Sequence, residues 1–300
     1  MDLWIIITLI AASAQTVRFM LQKHLKSTRL STAGATFARF IYSAPLVAVI
    51  AVSYVVISGQ GAPGIPPAFW AYAVTGGIAQ IVATMCVVAI FAHRNFAVGI
   101  TFKKTEVILA ALVGLIVLGE GVSLLALVAI VIGLVGVLLL SDPPKAEGRW
   151  AQRIFNRASG LGLLSGVLFA VSGVGYRGAS LSLETGDAFY RAIVTLAFVT
   201  AFQTAIMAVW LVWRERGEIM RVLASWRVAG LVGVTSMIGS IGWFTAFTLQ
   251  TVALVKAVGQ IELVLSLMAA TLFFKETISA REWQGLGFLA ISIVMLVLVT

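Results

Sequence analysis

Glu106 and Glu262 lie inside long apolar runs, and each is followed fourteen residues later by a second glutamate, Glu120 and Glu276. Seven cations share such surroundings: Arg18, Arg39, Lys103, Lys104, Arg177, Arg191 and Lys256. A charge at mid-bilayer costs about 2.5–3.5 kcal/mol, so unpaired lipid-facing placement is disfavoured and each group needs a partner or a function. Lys103 and Glu106 are three apart, on one helical face, and can pair directly. Ion pairing, binding of a charged solute and proton carriage by a glutamate are the chemistries these residues offer. Catalysis has little to build on. The two histidines, His24 and His93, fall at helix ends, and Cys86 stands alone as a small buried hydrophobe. No dinucleotide fingerprint, phosphate loop or metal-ligand cluster occurs, so neither cofactor nor metal is expected.

The charges recur because the sequence does. A shift of 156 residues places Glu106 on Glu262 and Glu120 on Glu276, and carries Trp70, Gly77, Phe91, Ala97 and Ser123 onto Trp226, Gly233, Phe247, Ala253 and Ser279. Slightly different offsets lay Phe37-x-Arg39 on Phe189-x-Arg191, and Ser13 and Arg18 on Ser172 and Arg177. A membrane chain made of two copies usually carries a transport site between them.

The elements that must position these groups are helices. Of 300 residues, 60% are hydrophobic and 11% charged, with a mean hydropathy of +1.04, which leaves too little polar surface for a water-soluble domain. The apolar residues fall into ten runs, at 3–22, 32–57, 68–92, 96–118, 122–141, 159–182, 186–213, 227–248, 251–274 and 280–299. Each is near the ~20 residues a helix needs to cross the bilayer. The expected fold is an all-α polytopic membrane protein, with ten transmembrane helices in two inverted five-helix repeats. Five spans per copy oblige the second to enter from the opposite side. The first repeat covers 1–141, a linker 142–158, and the second repeat 159–300; Pro143 and Pro144 stop the fifth helix. Pro45 alone among six prolines falls inside a span, the second. Ala129-x-x-x-Gly133 and Gly162-x-x-x-Gly166 are sites of close helix approach.

The net charge of +9 is not a nucleic-acid signal. Lys and Arg outside the spans occupy alternate connections, at 23–29, 94, 145–157, 214–227 and 275–281, while those near 58–67, 119–121, 183–186 and 249–250 hold none. This positive-inside pattern puts both termini outside and the 142–158 linker in the cytoplasm. The first apolar run lacks the basic flank and the small-residue cleavage site of a signal peptide. Trp4, Trp70, Trp210, Trp213, Trp226 and Trp283 read as interfacial anchors.

Sorted by this topology, Arg18, Arg39, Lys103 and Glu106 belong toward the cytoplasmic ends, and Arg177, Arg191, Lys256 and Glu262 toward the outer ends. The expectation is two symmetry-related clusters forming the inner and outer closures of one path. Arg18, Arg177 and Lys104 lie nearer an interface and read as satisfied or snorkelling side chains. Gln80, Thr84, Ser240, Trp243, Phe244 and Phe247, with Gln260 and Tyr190, are candidates for the wall of a cavity, where aromatic faces would hold the apolar part of a solute and amides orient its head.

The stretch from Ala97 to Ser123 resembles the signature of the drug/metabolite transporter superfamily in its ten-helix EamA-type branch, which has a small-residue helix, a Glu-Pro pair, an apolar run and then Leu-Gly-Glu followed by a polar residue; Glu106 matches its glutamate and Leu118-Gly119-Glu120 its closing segment. Glu262 and Phe274-Lys275-Glu276 repeat the pattern, and the likeness extends over nearly the whole chain. Val107 and Leu263 stand where that family usually has proline, which puts a family-style kink there in doubt. The resemblance implies a basket of ten helices that moves a small metabolite, similar to bacterial amino-acid and aromatic-metabolite exporters of the inner membrane.

The expected function is therefore secondary transport: export of small amphiphilic metabolites, amino acids including aromatic ones first among them, by alternating access through a cavity between the repeats. The expected partners are that solute, the lipid bilayer and, if a glutamate couples export to proton entry, protons; nucleic acid is not among them. Facilitated diffusion is equally compatible, and the oligomeric state, a monomer included, is open. Alternatives are exchange of sugar phosphates or nucleotide sugars, which the cation excess would suit, and broad export of lipophilic cations, which it disfavours. A membrane-embedded transferase would need a base or nucleophile near a sizeable polar loop, and a non-transporting scaffold would not need a repeated charge set.

Overall fold

The computed structural model describes residues 2–28, 30–61, 63–90, 103–141, 157–265 and 280–299. Among them, the regular elements are all helices: α1 (Leu3–Thr28), α2 (Thr32–Ser58), α3 (Pro67–Ile90), α4 (Glu106–Leu118), α5 (Leu124–Ser141), α6 (Arg157–Ser182), α7 (Ala188–Arg214), α8 (Glu218–Ala224), α9 (Trp226–Leu249), α10 (Val252–Val258) and α11 (Ala280–Val299). Six of them, α1, α2, α3, α6, α7 and α9, are long and apolar enough to cross a membrane, and α4, α5 and α11 are shorter apolar helices. Aliphatic side chains cover the outside, with Ile57 84% and Leu298 79% exposed, while Arg39, Lys104 and Glu106 are at most 5% exposed. Apolar surface outside and charge inside fit a helical membrane protein, whose backbone polar groups must be satisfied within each helix. Arg29, His93, Arg94, Lys275, Glu276, the linker over 142–156 and the repeat positions Phe91 and Ala97 lie outside the described residues.

Local chemistry sets the helix ends. The Ser31 hydroxyl accepts from Gly34 N at 2.9 Å and caps α2, and the Asp187 carboxylate accepts from Tyr190 N at 2.9 Å and caps α7. Gly119, at a φ of 69°, closes α4 in the left-handed conformation that glycine adopts without penalty. Buried Glu218 on α8 accepts from Ser31 N at 2.6 Å, so the connection before α2 meets the one after α7. At the opposite end of α2, Tyr54 and Gln60 donate to Asp187 and the Tyr190 hydroxyl donates to Gly61 O at 2.7 Å.

Small residues bring the helices together. The most extensive pairings are α1 with α9, α3 with α6, α5 with α11 and α2 with α7. A Cβ on Gly175 would fall 2.9 Å from Tyr72 O, one on Gly242 2.8 Å from the Ala11 Cβ, and one on Gly136 2.8 Å from Gly285 O. Backbones this close gain dispersion contact that hydrocarbon cannot supply. Of the two small-residue motifs, Ala129-x-x-x-Gly133 sits at the α5–α11 seam, where Ala129 O accepts from the Ser292 hydroxyl at 2.6 Å. Gly162 and Gly166 are buried on α6.

Two expected helices are interrupted. The chain turns at Lys104 and Thr105 before α4 begins at Glu106, and it turns again at Gly259 and Gln260 before becoming helical over 261–265. Under the 156-residue shift the two breaks overlap at Lys104 and Gln260, each just ahead of its glutamate. Neither contains proline. At the second, the N–H groups of Gln260, Glu262 and Leu263 reach back three residues instead of four, a tightened turn that redirects the helix.

Candidate functional site

The two breaks bring Glu106 and Glu262 to one place. Lys103 Nζ lies 3.4 Å from a Glu106 oxygen and 3.8 Å from Glu262; Lys104 Nζ bonds Glu262; and Lys256 Nζ, on the last turn of α10, lies 3.6 Å from Glu106. Gln15 on α1 donates to Glu262 at 2.7 Å and accepts from Arg18 at 3.4 Å. The expected division of these charges into an inner and an outer cluster is therefore corrected: Lys103, Glu106, Lys256 and Glu262 form one lattice. Lys104 is no snorkelling side chain, because it is 2% exposed and paired.

Beside this lattice lies a cavity lined by Arg39, Gln80, Tyr176, Trp243, Phe247 and Lys256, together with Gln15, Phe169, Ser172, Gly173, Ser240 and Phe244. Its volume, about 20 Å³, holds roughly one water molecule. The Arg39 guanidinium is held by three hydroxyls, with Nε donating to Ser236 at 2.9 Å, Nη1 to Thr84 at 3.3 Å and Nη2 to Ser240 at 3.3 Å. Aromatic rings form the rest of the wall. Tyr176 and Phe244 stack at 4.2 Å, Trp243 and Phe247 at 5.8 Å, and Lys256 Nζ stands 5.1 Å from the Trp243 ring and 5.4 Å from Phe169, within cation–π range. Gln203 on α7 ties Gln80 to Tyr176 at 3.0 and 3.2 Å.

Arg177 belongs elsewhere. Its Nε reaches both Glu120 oxygens at 2.9 and 2.7 Å, and its Nη1 donates to the carbonyls of Phe247 at 2.6 Å and Gln250 at 2.8 Å. It pins the C-terminus of α9, where the helix dipole favours a cation, to the residue just beyond α4.

Of the residues singled out in the sequence, Arg39, Gln80, Trp243, Phe244, Phe247 and Lys256 share the cavity wall; Glu106 holds its lysine, and Glu262 holds the neighbouring Lys103 and Lys104. Thr84 and Ser240 orient Arg39. Three do not join. Tyr190 is fully buried but anchors the loop at Gly61; Arg191 sits on the first turn of α7, its Nε without a hydrogen-bond partner; and Gln260 lines a separate crevice with Lys104, Ala257 and Ser292. Alignment of Phe189-x-Arg191 with Phe37-x-Arg39 suggested equivalent roles, yet Tyr190 and Arg191 follow immediately on the cap at Asp187, whereas Arg39 sits two turns into α2. Gln15, Phe169, Tyr176, Gln203 and Ser236 are not singled out by the sequence, and Ser172 enters only as a repeat position. The match of Ser13 and Arg18 with Ser172 and Arg177 is the one available signal, since it marks α1 and α6, the helices that carry four of the six.

No protein-family model matches the chain, and no curated protein matches it. Among solved structures, 28 chains match. One, a protein of known crystal structure, is similar at a TM-score of 0.69 and 16% identity, over 98% of this chain and 99% of its own. At that identity the likeness shows a shared fold across the whole chain.

Proposed function

We propose that the chain is a secondary transporter that carries small amphiphilic metabolites, amino acids first among the candidates, by alternating access through the cavity at Arg39 and Lys256. The observation that carries this reading is the buried charge itself. Five cations and two carboxylates surround a cavity whose wall comes from both sequence halves, with no catalytic triad or metal-ligand set beside it among the described residues. Such groups in a membrane interior mark solute or ion paths, and interrupted helices with charges at their breaks are how transporters expose them.

Two inverted five-helix repeats in ten spans are part of this proposal, as is membership of the drug/metabolite transporter superfamily in its EamA-type branch. The packing supports the repeats. Exchanging the halves turns the α1–α9 pair into the α6–α3 pair, while α2–α7 and α5–α11 map onto themselves, as a twofold axis in the membrane plane requires. Placement in a bacterial inner membrane rests on that family resemblance, and the orientation, with termini outside and the 142–158 linker in the cytoplasm, on the alternation of Lys and Arg among the connections.

Purified chain in proteoliposomes, loaded with radiolabelled amino acids, tests the reading. Flux that disappears in the Glu106→Gln/Glu262→Gln variant, with the protein still inserted and monodisperse, supports it; flux unchanged in that variant removes the glutamates from the path. Imposing a pH gradient then separates proton-coupled export from facilitated diffusion.

A further inference from the structure

Among the described residues, the charges near the cavity do not balance. Arg18, Arg39, Lys103, Lys104 and Lys256 contribute five positive charges, all at most 9% exposed, against two carboxylates, Glu106 and Glu262. Both carboxylates are already engaged by lysines. Among the described residues Arg39 has no acidic partner; its three bonds go to hydroxyls, leaving one N–H on each terminal nitrogen without an acceptor there. Trp243 Nε1, in the same wall, is buried and has no acceptor either. The groups lining this space that lack a partner are thus donors, while two acceptors just behind the wall, Glu106 Oε2 and Gln203 Oε1, also lack a hydrogen bond. A buried unpaired cation is costly enough that a structure retaining one is built to receive an anion, and a guanidinium suits an oxyanion.

We propose that the cavity takes a small organic anion with an aromatic-sized apolar body: the oxyanion sits on Arg39 and the body lies against Trp243, Phe247 and Phe244. This rests on the carrier reading and replaces its first candidate, the amino acid. A zwitterionic amino acid brings a cation whose natural acceptors, Glu106 and Glu262, are occupied by Lys103, Lys104 and Lys256, and a lipophilic amine meets a surplus of like charge. The cavity in its described state is too small for any such solute, so binding must part the walls.

Four probes with one phenyl body separate the heads: 3-phenylpropionate, phenyl phosphate, L-phenylalanine and 2-phenylethylamine. Binding to the purified full chain is followed by calorimetry and by tryptophan fluorescence. The expected result is that one or both anions bind at least about tenfold tighter than the zwitterion and that the amine does not bind. Which anion leads identifies the head as carboxylate or phosphate ester. Arg39→Gln should weaken the preferred anion by about 10- to 100-fold, with Arg39→Lys restoring part of the loss. The probe series on the unaltered chain stands even if the Arg39 variants fold poorly. Equal or tighter binding of phenylalanine or phenylethylamine overturns the proposal, as does the absence of binding by all four, or anion affinity unchanged in a folded Arg39→Gln. Failure of the carrier reading looks different: the anion binds at Arg39, yet no labelled solute exchanges across proteoliposomes.

Discussion

Glu262 holds Lys104, so its loss strands that ammonium group in an interior that cannot hydrate it, while Lys103 keeps Glu106 at 3.4 Å. Breaking one side of a buried pair typically costs about 3–5 kcal/mol, much of it the penalty on the abandoned charge. Glu262→Gln should therefore lower the thermal unfolding midpoint in detergent clearly, and Lys104→Met added to it should recover part of the loss. If the double variant melts no higher than the single, the pair is not coupled. Asp187 operates on a smaller scale. The Tyr190 N–H, and then Tyr54 and Gln60, hold its carboxyl below the usual carboxylate range. A depressed value means that its contribution is complete above the unfolded pKa and is lost as pH falls through the folded one. Asp187→Ala should cost about 1 kcal/mol at neutral pH, and the difference from the unaltered chain should shrink on acidification below about pH 4. Paired melts at both pH values check this. Single residues were read well where spacing alone decides contact, as for Lys103 and Glu106. They were misread where contact depends on a distant helix: Lys256 was assigned to the outer ends, yet it pairs with Glu106, 150 positions earlier in the sequence.

Helices α1, α2, α3, α6, α7 and α9 were legible because length and hydropathy alone specify them, and the boundaries of Trp226–Leu249 fell within one residue of expectation. The interruptions ahead of Glu106 and Glu262 were not, since the usual marker, proline, is missing from both. They follow from side chains: Lys103, Lys104 and Lys256 can meet two glutamates only if their helices turn there. At the second break a Cβ on Gly259 would come 3.1 Å from the Trp243 ring Cζ3 and 3.2 Å from Val255 O, so glycine is what lets the turn lie under the indole. Gly259→Val should push Trp243 toward the cavity, shift the tryptophan emission and reduce flux, with stability lowered by about 1–3 kcal/mol. Unchanged emission would show that the turn has slack. Gly175→Val tests the α3–α6 seam in the same way, and its effect should be confined to stability.

At the scale of the molecule, Arg177 and the central lattice divide the labour. The lattice joins the two interrupted helices, while Arg177 ties the end of α9 to Glu120 without touching the lattice. On the proposed carrier reading, Arg177→Gln should therefore leave the proposed anion binding at Arg39 intact and change the turnover rate, measured as exchange against net efflux in the same vesicles. A parallel loss of binding and turnover would mean that the two regions are one unit. The symmetry that exposed the repeat also limited what could be read from it, because equivalent positions such as Arg39 and Arg191 have diverged in their surroundings.

The space beside Arg39 admits about one water molecule, with rings packed on either side of it. Vesicles containing the chain should then hold a potassium diffusion potential as long as empty ones do, because among the described residues this space is no wider than that. If the chain is the proposed carrier, a solute that gets through must shed its hydration, and ion gradients persist between transport cycles.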